Sequence, residues 1–261
     1  SLMKHFLAIV LFFVCAFKVA ADEMETDRPD FTEGTQTVEP GSFQLEAGYT
    51  FVRNKSDGLR STEHAFPEFL LRGGLLNDFE LRVGWDGFIF QDFSATSEHN
   101  SKSQHGTTDM SLGYKQRIHT QTQTLPHFGY IFELGLPVGS EKYTSDGVEP
   151  HLLLLWAYEV SDRAGIAGNF NIAYRKGEDR FIEPAASLSL DYDLINDIGT
   201  YLEYFGYYPE GGAMGESDRH FINTGLTFAL TQNFQLDWRI GIGLNKASDD
   251  MFSGVGFAWR I

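Results

Sequence analysis

The chain has 261 residues, 42% hydrophobic and 21% charged, with a formal net charge of −16. So acidic a chain is excluded as a nucleic-acid binder, which needs a basic surface. Its single cysteine, Cys15, excludes a disulfide framework within the chain.

At the N-terminus, Lys4 and His5 precede an apolar run from Phe6 to Phe17, and Val19-Ala20-Ala21 supplies the small residues of a signal-peptidase site. Residues 1–21 therefore read as an export signal, with Asp22 as the mature N-terminus. The apolar run is too short to cross a bilayer as a helix. Removal of the signal takes away Lys4, Lys18 and the cysteine, so the mature chain carries −18 and no thiol. Residues 22–41 (DEMETDRPDFTEGTQTVEPG) are acidic and lack strand alternation, and Pro29, Gly34 and Pro40 argue against regular structure.

From residue 42 onward apolar residues occupy every second position. Phe43, Leu45, Ala47, Tyr49 and Phe51 share one face against Gln44, Glu46 and Gly48. Phe79, Leu81, Val83, Trp85 and Ile89 oppose Glu80, Arg82 and Asp86, and Val255, Phe257, Trp259 and Ile261 oppose Gly254, Gly256, Ala258 and Arg260. A period of two is that of a strand with unlike faces. Twelve such segments can be placed, at 42–53, 64–75, 79–91, 107–118, 127–138, 148–160, 164–175, 181–194, 198–208, 219–230, 234–245 and 251–261. Each is long enough for a tilted strand to cross the hydrocarbon layer.

Mid-strand charges all fall opposite the apolar face, as expected where a lipid-facing Arg or Lys costs roughly 2–4 kcal/mol at the midplane. The fold class is therefore all-β, a transmembrane antiparallel barrel of about twelve strands spanning 42–261, in the outer membrane. Tight connections at 76–78, 161–163, 195–197 and 231–233 alternate with longer polar ones at 54–63, 92–106, 139–147, 176–180, 209–218 and 246–250; 119–126 is long where a short turn is due. Short turns belong on the periplasmic side, so both termini are expected there. Residues 22–41 then form either a loose tail or a plug that folds into the bore, with Asp27, Arg28 and Asp30 as gate candidates.

Interior positions sort by height. Toward the outside lie Phe66, Phe88, Phe90, Phe181, Phe205, Tyr207, Phe221 and Phe252, either an aromatic vestibule or rings packed under folded-in loops. Deeper lie Glu80, Arg82, Lys115, Arg117, Glu133, Glu159, Asp191, Glu203, Asp237, Arg239 and Arg260, a charged lining of both signs with acids in excess.

The opening Glu25-Thr26-Asp27-Arg28-Pro29-Asp30-Phe31-Thr32-Glu33, followed by Pro40-Gly41-Ser42-Phe43-Gln44-Leu45-Glu46-Ala47-Gly48-Tyr49-Thr50-Phe51, resembles that of a bacterial family of outer-membrane transporters named after the meta-cleavage pathway of phenol degradation. The resemblance covers most of the mature chain, and this opening is its specific part. It implies a barrel for passive uptake of small aromatic or other hydrophobic solutes. Ile261 departs from the terminal Phe usual in barrel assembly signals, although Val255, Phe257 and Trp259 keep the alternation.

Two other readings stand beside the channel. One is a structural or adhesive barrel with a closed lumen. The other is an outer-membrane lipid hydrolase, for which a His-x-Ser pair is needed; the one present, His99-Asn100-Ser101, lies in a polar stretch ill suited to hold a nucleophile and base in reach. No phosphate loop, zinc spacing or nucleotide fingerprint occurs, so no catalytic residue, metal or cofactor is expected. The partners expected are membrane lipid and lipopolysaccharide, the barrel assembly machinery and a small-molecule solute.

Overall fold

The computed structural model describes residues 24–56, 58–95, 101–176, 180–195, 197–210 and 217–261; the expected export signal, residues 1–21, and His99 lie outside them. Among the described residues the regular structure is all antiparallel strand: β1 (Phe43–Ser56), β2 (Leu59–Leu76), β3 (Phe79–Trp85), β4 (Phe88–Ala95), β5 (Ser101–Thr107), β6 (Met110–His119), β7 (His127–Leu136), β8 (Glu149–Ser161), β9 (Ala164–Lys176), β10 (Arg180–Ile195), β11 (Ile198–Tyr207), β12 (Arg219–Thr231), β13 (Phe234–Gly243) and β14 (Met251–Arg260). β2 pairs with both β3 and β4, β3 with β6, and β4 with β5, so β3–β4 and β5–β6 are each one crossing interrupted midway. The first and last strands pair from Gln44↔Arg260 to Arg53↔Met251 and close a barrel of twelve crossings. Closure leaves no unpaired edge in lipid.

The outer surface is a belt of exposed apolar side chains, among them Leu81, Leu112, Leu154, Phe170, Ile172, Leu190 and Leu202. The inner face is the reverse. The largest fully buried side chains include Arg72, Arg82, Lys115, Glu46, Glu80 and Glu203. This is an outer-membrane β-barrel, with its polar core inside and lipid as its outer solvent.

The structure corrects two expectations. Segments 54–63 and 92–106, expected as loops, are largely strand, because β1 runs to Ser56, β2 starts at Leu59, β4 runs to Ala95 and β5 starts at Ser101. These hairpins carry polar residues on both faces. A ladder beyond the hydrocarbon layer has no lipid to impose alternation, so alternation cannot reveal it.

The second correction concerns faces. Between Gly48↔Glu68 and Thr50↔Ala65, β1 advances two residues while β2 advances three, a bulge at Phe66-Pro67. Neighbouring crossings take the same three-residue step at Asp86-Gly87 and Thr108-Asp109. Gly87 is required there: its φ is +83°, and a Cβ would overlap the Pro67 carbonyl oxygen. One extra residue moves every later side chain to the opposite face. Phe66, Phe88 and Phe90, expected inside, therefore point outward and are 56%, 44% and 49% exposed. Ala65 and Ile89 turn inward and are buried.

Leu81→Arg puts a guanidinium into lipid and should destabilise the barrel by roughly 2–4 kcal/mol near mid-bilayer. Thr227→Lys, on the inner face beside acidic groups, should leave stability unchanged. Unfolding in lipid vesicles and the heat-dependent gel shift of the folded barrel measure both; equal loss would contradict the assigned faces.

Candidate functional site

Residues 24–38 run through the barrel interior, and the exposed residues 39–41 lead from it into β1. Met24, Asp27, Thr32, Thr35 and Val38 are buried among inward side chains of the wall. An irregular backbone inside a barrel must still have its polar groups satisfied, and three wall carboxylates do much of this. Glu46 accepts from the N–H groups of Asp27 (3.0 Å) and Arg28 (3.0 Å). Glu203 accepts from Phe31 N–H (3.0 Å), Thr32 N–H (2.6 Å) and the Thr32 hydroxyl (2.6 Å). Glu80 accepts from Val38 N–H (2.7 Å). Carbonyls of the segment are met by arginines, Pro29 by Arg239 (3.0 Å) and Gln36 by Arg72 (3.0 Å). The Asn169 amide, with its oxygen turned to the Glu33 N–H (2.8 Å) and its nitrogen to the Glu33 carbonyl (3.2 Å), adds a further pair.

The charges interlock in both directions. Asp27 lies among three wall cations, Arg82 (2.5 Å), Lys115 (2.7 Å) and Arg72 (3.3 Å). Arg72 and Arg82 also reach wall acids: Glu46 and Glu80 for Arg72, Glu80 and Glu133 for Arg82. Among the described residues, Lys115 forms ion pairs with the segment alone, through Asp27 and Glu33 (3.9 Å). Burial by itself would raise the Asp27 carboxyl, but the three cations outweigh it and hold it well below the usual carboxylate range. In the opposite sense, Arg28 of the segment reaches Glu68 (3.2 Å) and Asp237 (3.3 Å) of the wall. Its guanidinium sits over Gly48 and Gly256, which face each other across β1 and β14. A Cβ at Gly256 would lie 2.5 Å from Arg28 Nε, and one at Gly48 would overlap the guanidinium as well.

The remaining interior residues divide by place. Phe205, Phe221 and Phe252 form a buried ring cluster near the long-hairpin end, with Phe31 of the segment and Tyr207 packed against it. Phe181 is inward and partly buried, opposite Arg175 rather than in that cluster. Arg117 pairs with Asp78 and Gln36 near the short-turn end. Glu159 is largely exposed beside His127 (3.6 Å), and Arg260 binds Asn233 and Gln232 at the rim. Asp30 and Asp191 line a cavity of about 450 Å³ at the short-turn end, where Asp191 also accepts from Ser189 (2.7 Å). A second cavity, about 340 Å³, is lined by Glu33, Arg82, Asp86, Glu133, His151 and Arg175. Segment residues border both cavities.

His220 lies on β12 and Ser253 on β14, with β13 between them. His220 Nδ1 meets the Tyr204 hydroxyl (2.7 Å), and the Ser253 hydroxyl donates to the Arg239 carbonyl (2.9 Å).

Of the segment's residues the sequence marks Asp27, Arg28 and Asp30 but not Phe31, Thr32 or Glu33; Asp27 and Arg28 join the network, whereas Asp30 lines the larger cavity. The available signal was composition: residues 22–41 hold one arginine and one aromatic, Arg28 and Phe31, among many acids. Each meets its complement in the wall.

Asp27→Asn leaves Lys115 without a close anion and should weaken docking of the segment by about 3 kcal/mol, the low end for breaking a buried ion pair. Hydrogen exchange at the Asp27 and Thr32 N–H groups would report it. A carboxyl held low contributes fully at pH above its ordinary value and loses that contribution progressively as pH falls from there through the depressed one. The gap between wild type and variant should therefore be the same at about pH 7 and about pH 6 and narrow as pH falls below about 4.

No curated protein matches the chain. Among solved structures, an outer membrane channel from Pseudomonas putida F1 is similar with a TM-score of 0.63 and 12% identity, over 87% of this chain and 98% of that one. The transport unit of the autotransporter AIDA-I from Escherichia coli gives 0.59 and 11%, over 89% and 93%. The translocator domain of the autotransporter NalP from Neisseria meningitidis gives 0.54 and 12%, over 85% and 90%. At such identities the likeness is one of fold. The family model described as "Putative MetA-pathway of phenol degradation" matches residues 26–261, taking in the luminal segment together with the wall, and the chain belongs to that family.

Proposed function

We propose that the chain is a passive outer-membrane channel for small solutes, with residues 22–41 as its gate. Lys115 carries this reading. It is a buried wall cation whose ion pairs, among the described residues, are all with the segment. The segment is thus held mainly by charges and hydrogen bonds, which water and salt can satisfy in its place. Cavities border it at two places, so the bore is interrupted rather than filled along its length. In this reading the short turns and both termini face the periplasm, and the long hairpins face outward among lipopolysaccharide.

The solute is small and aromatic or otherwise apolar. The interior rings support this, as do the family's association with phenol degradation and the description of the Pseudomonas putida relative as a channel. The tight fit of the segment favours a second reading, a structural barrel closed for good. Conductance separates the two.

Deleting residues 22–38 should leave a folded barrel with a larger single-channel conductance in planar bilayers than the full chain. The difference should shrink at high salt, where screening loosens the docked segment. Strand acids on the inner face outnumber bases, so the reversal potential in a salt gradient should show cation preference. Identical conductance of the two proteins across salt concentrations would leave the segment as a permanent filling, and anion preference would contradict the lining assigned here.

A further inference from the structure

Phe31 is the one aromatic residue of the segment 22–41, and it enters a site built of rings. Its ring lies parallel to that of Phe205, with centroids 4.5 Å apart and an interplanar angle of 10°. It stands edge-on to Tyr207 at 5.5 Å and 78°. Phe205 in turn stacks on Phe221 at 4.9 Å and 16° and meets Phe252 at 6.2 Å. The other rings belong to the wall, on β11, β12 and β14, so their positions are set by the ladder. Phe31 alone is delivered by irregular chain. It is only partly buried, so its place is open to the lumen.

We propose that the seat of Phe31 is a binding site for one-ring aromatic solutes, and that Phe31 fills it in the closed state as a built-in stand-in. Solute binding and docking of the segment would then exclude each other. The proposal rests on the channel reading above and names both its solute site and its trigger.

Three observations support it. First, the seat is flat. The face of Phe205 and the edge of Tyr207 bound a slot suited to a planar ring, with the offset and edge-on geometries that aromatic pairs prefer. A saturated ring is thicker and lacks the quadrupole. Second, a solute ring regains the stacking that Phe31 gives up, so the exchange is governed by solute concentration rather than by a large energy gap. Third, the seat adjoins the latch. Phe31 and Thr32 both donate their N–H groups to Glu203, which Asn223 holds at 2.6 Å. Displacing the ring therefore pulls on the backbone that Glu203 holds. By reciprocity, a solute that competes with docking must loosen the segment to the same degree that docking weakens the solute.

The test uses full-length protein, phenol as the probe and cyclohexanol as its saturated counterpart, with binding read by titration calorimetry. Phe31→Ala vacates the seat and should bind phenol at least about tenfold more tightly than wild type, since a seat free a tenth of the time weakens apparent affinity by that factor. Cyclohexanol should gain nothing. Adding Phe205→Ala removes the floor of the slot and should abolish the gain, with the heat-dependent gel shift confirming that each barrel is folded. Equal phenol affinity in wild type and Phe31→Ala, or an equal gain for cyclohexanol, would overturn the proposal. Failure of the channel reading has a different signature. If the 22–38 deletion never conducts while Phe31→Ala still gains phenol affinity, the seat stands and the channel does not. If the deletion opens the bore and Phe31→Ala gains nothing, the channel stands and the seat falls.

Discussion

The interior of this barrel depends on how three buried cations are neutralised. Arg72, Arg82 and Lys115 are 1%, 2% and 0% exposed, and a cation taken from water without a partner is costly by several kcal/mol. The wall answers for two of them with Glu46, Glu80 and Glu133. For Lys115 the close anion, Asp27, comes from outside the strands. Neutralisation of Lys115 within the described interior therefore depends on the segment being in place. Without the segment, water must reach Lys115, so its removal would change hydration as much as chain position.

The same segment meets two chemically distinct sets of wall residues. The cations around Asp27 lie on β2, β3 and β6, and the ring cluster around Phe31 lies on β11, β12 and β14. Asp27 and Phe31 are four residues apart in sequence and serve one side each. The docked segment is thus held at separate points by unlike forces. A charge pair is lost when its carboxylate is protonated, while a ring contact is not, so the two ends of the contact answer to different conditions.

Strand positions were legible in the sequence wherever lipid enforces alternation, as at Phe79 to Trp85 or Val255 to Ile261. Beyond the hydrocarbon layer nothing enforces it, and the hairpin extensions within 54–63 and 92–106 carry the polar composition of loops. The outward turn of Phe66, Phe88 and Phe90 was also hidden. It depends on a single-residue excess in β2, and neither Pro67 nor Gly87 announces a bulge without its neighbours. The inward charges were legible as a class because lipid rejects them; their partners were not. Alternation shows that Arg82 and Glu203 face the lumen, but only the wrapped sheet brings β3, β6 and β11 around one segment.

The Arg28 seat has a consequence for the order of events. Gly48 and Gly256 belong to the first and last strands, and Glu68 and Asp237 to the strands flanking them, β2 and β13. One guanidinium therefore spans four adjacent strands across the seam where the sheet meets itself. While β1 and β14 are apart the seat is absent, because half its floor and one of its two carboxylates lie at the far edge of an open sheet. Docking at Arg28 must follow closure. Once formed, it clasps the seam from inside, so the segment that precedes the first strand registers that the last strand has arrived.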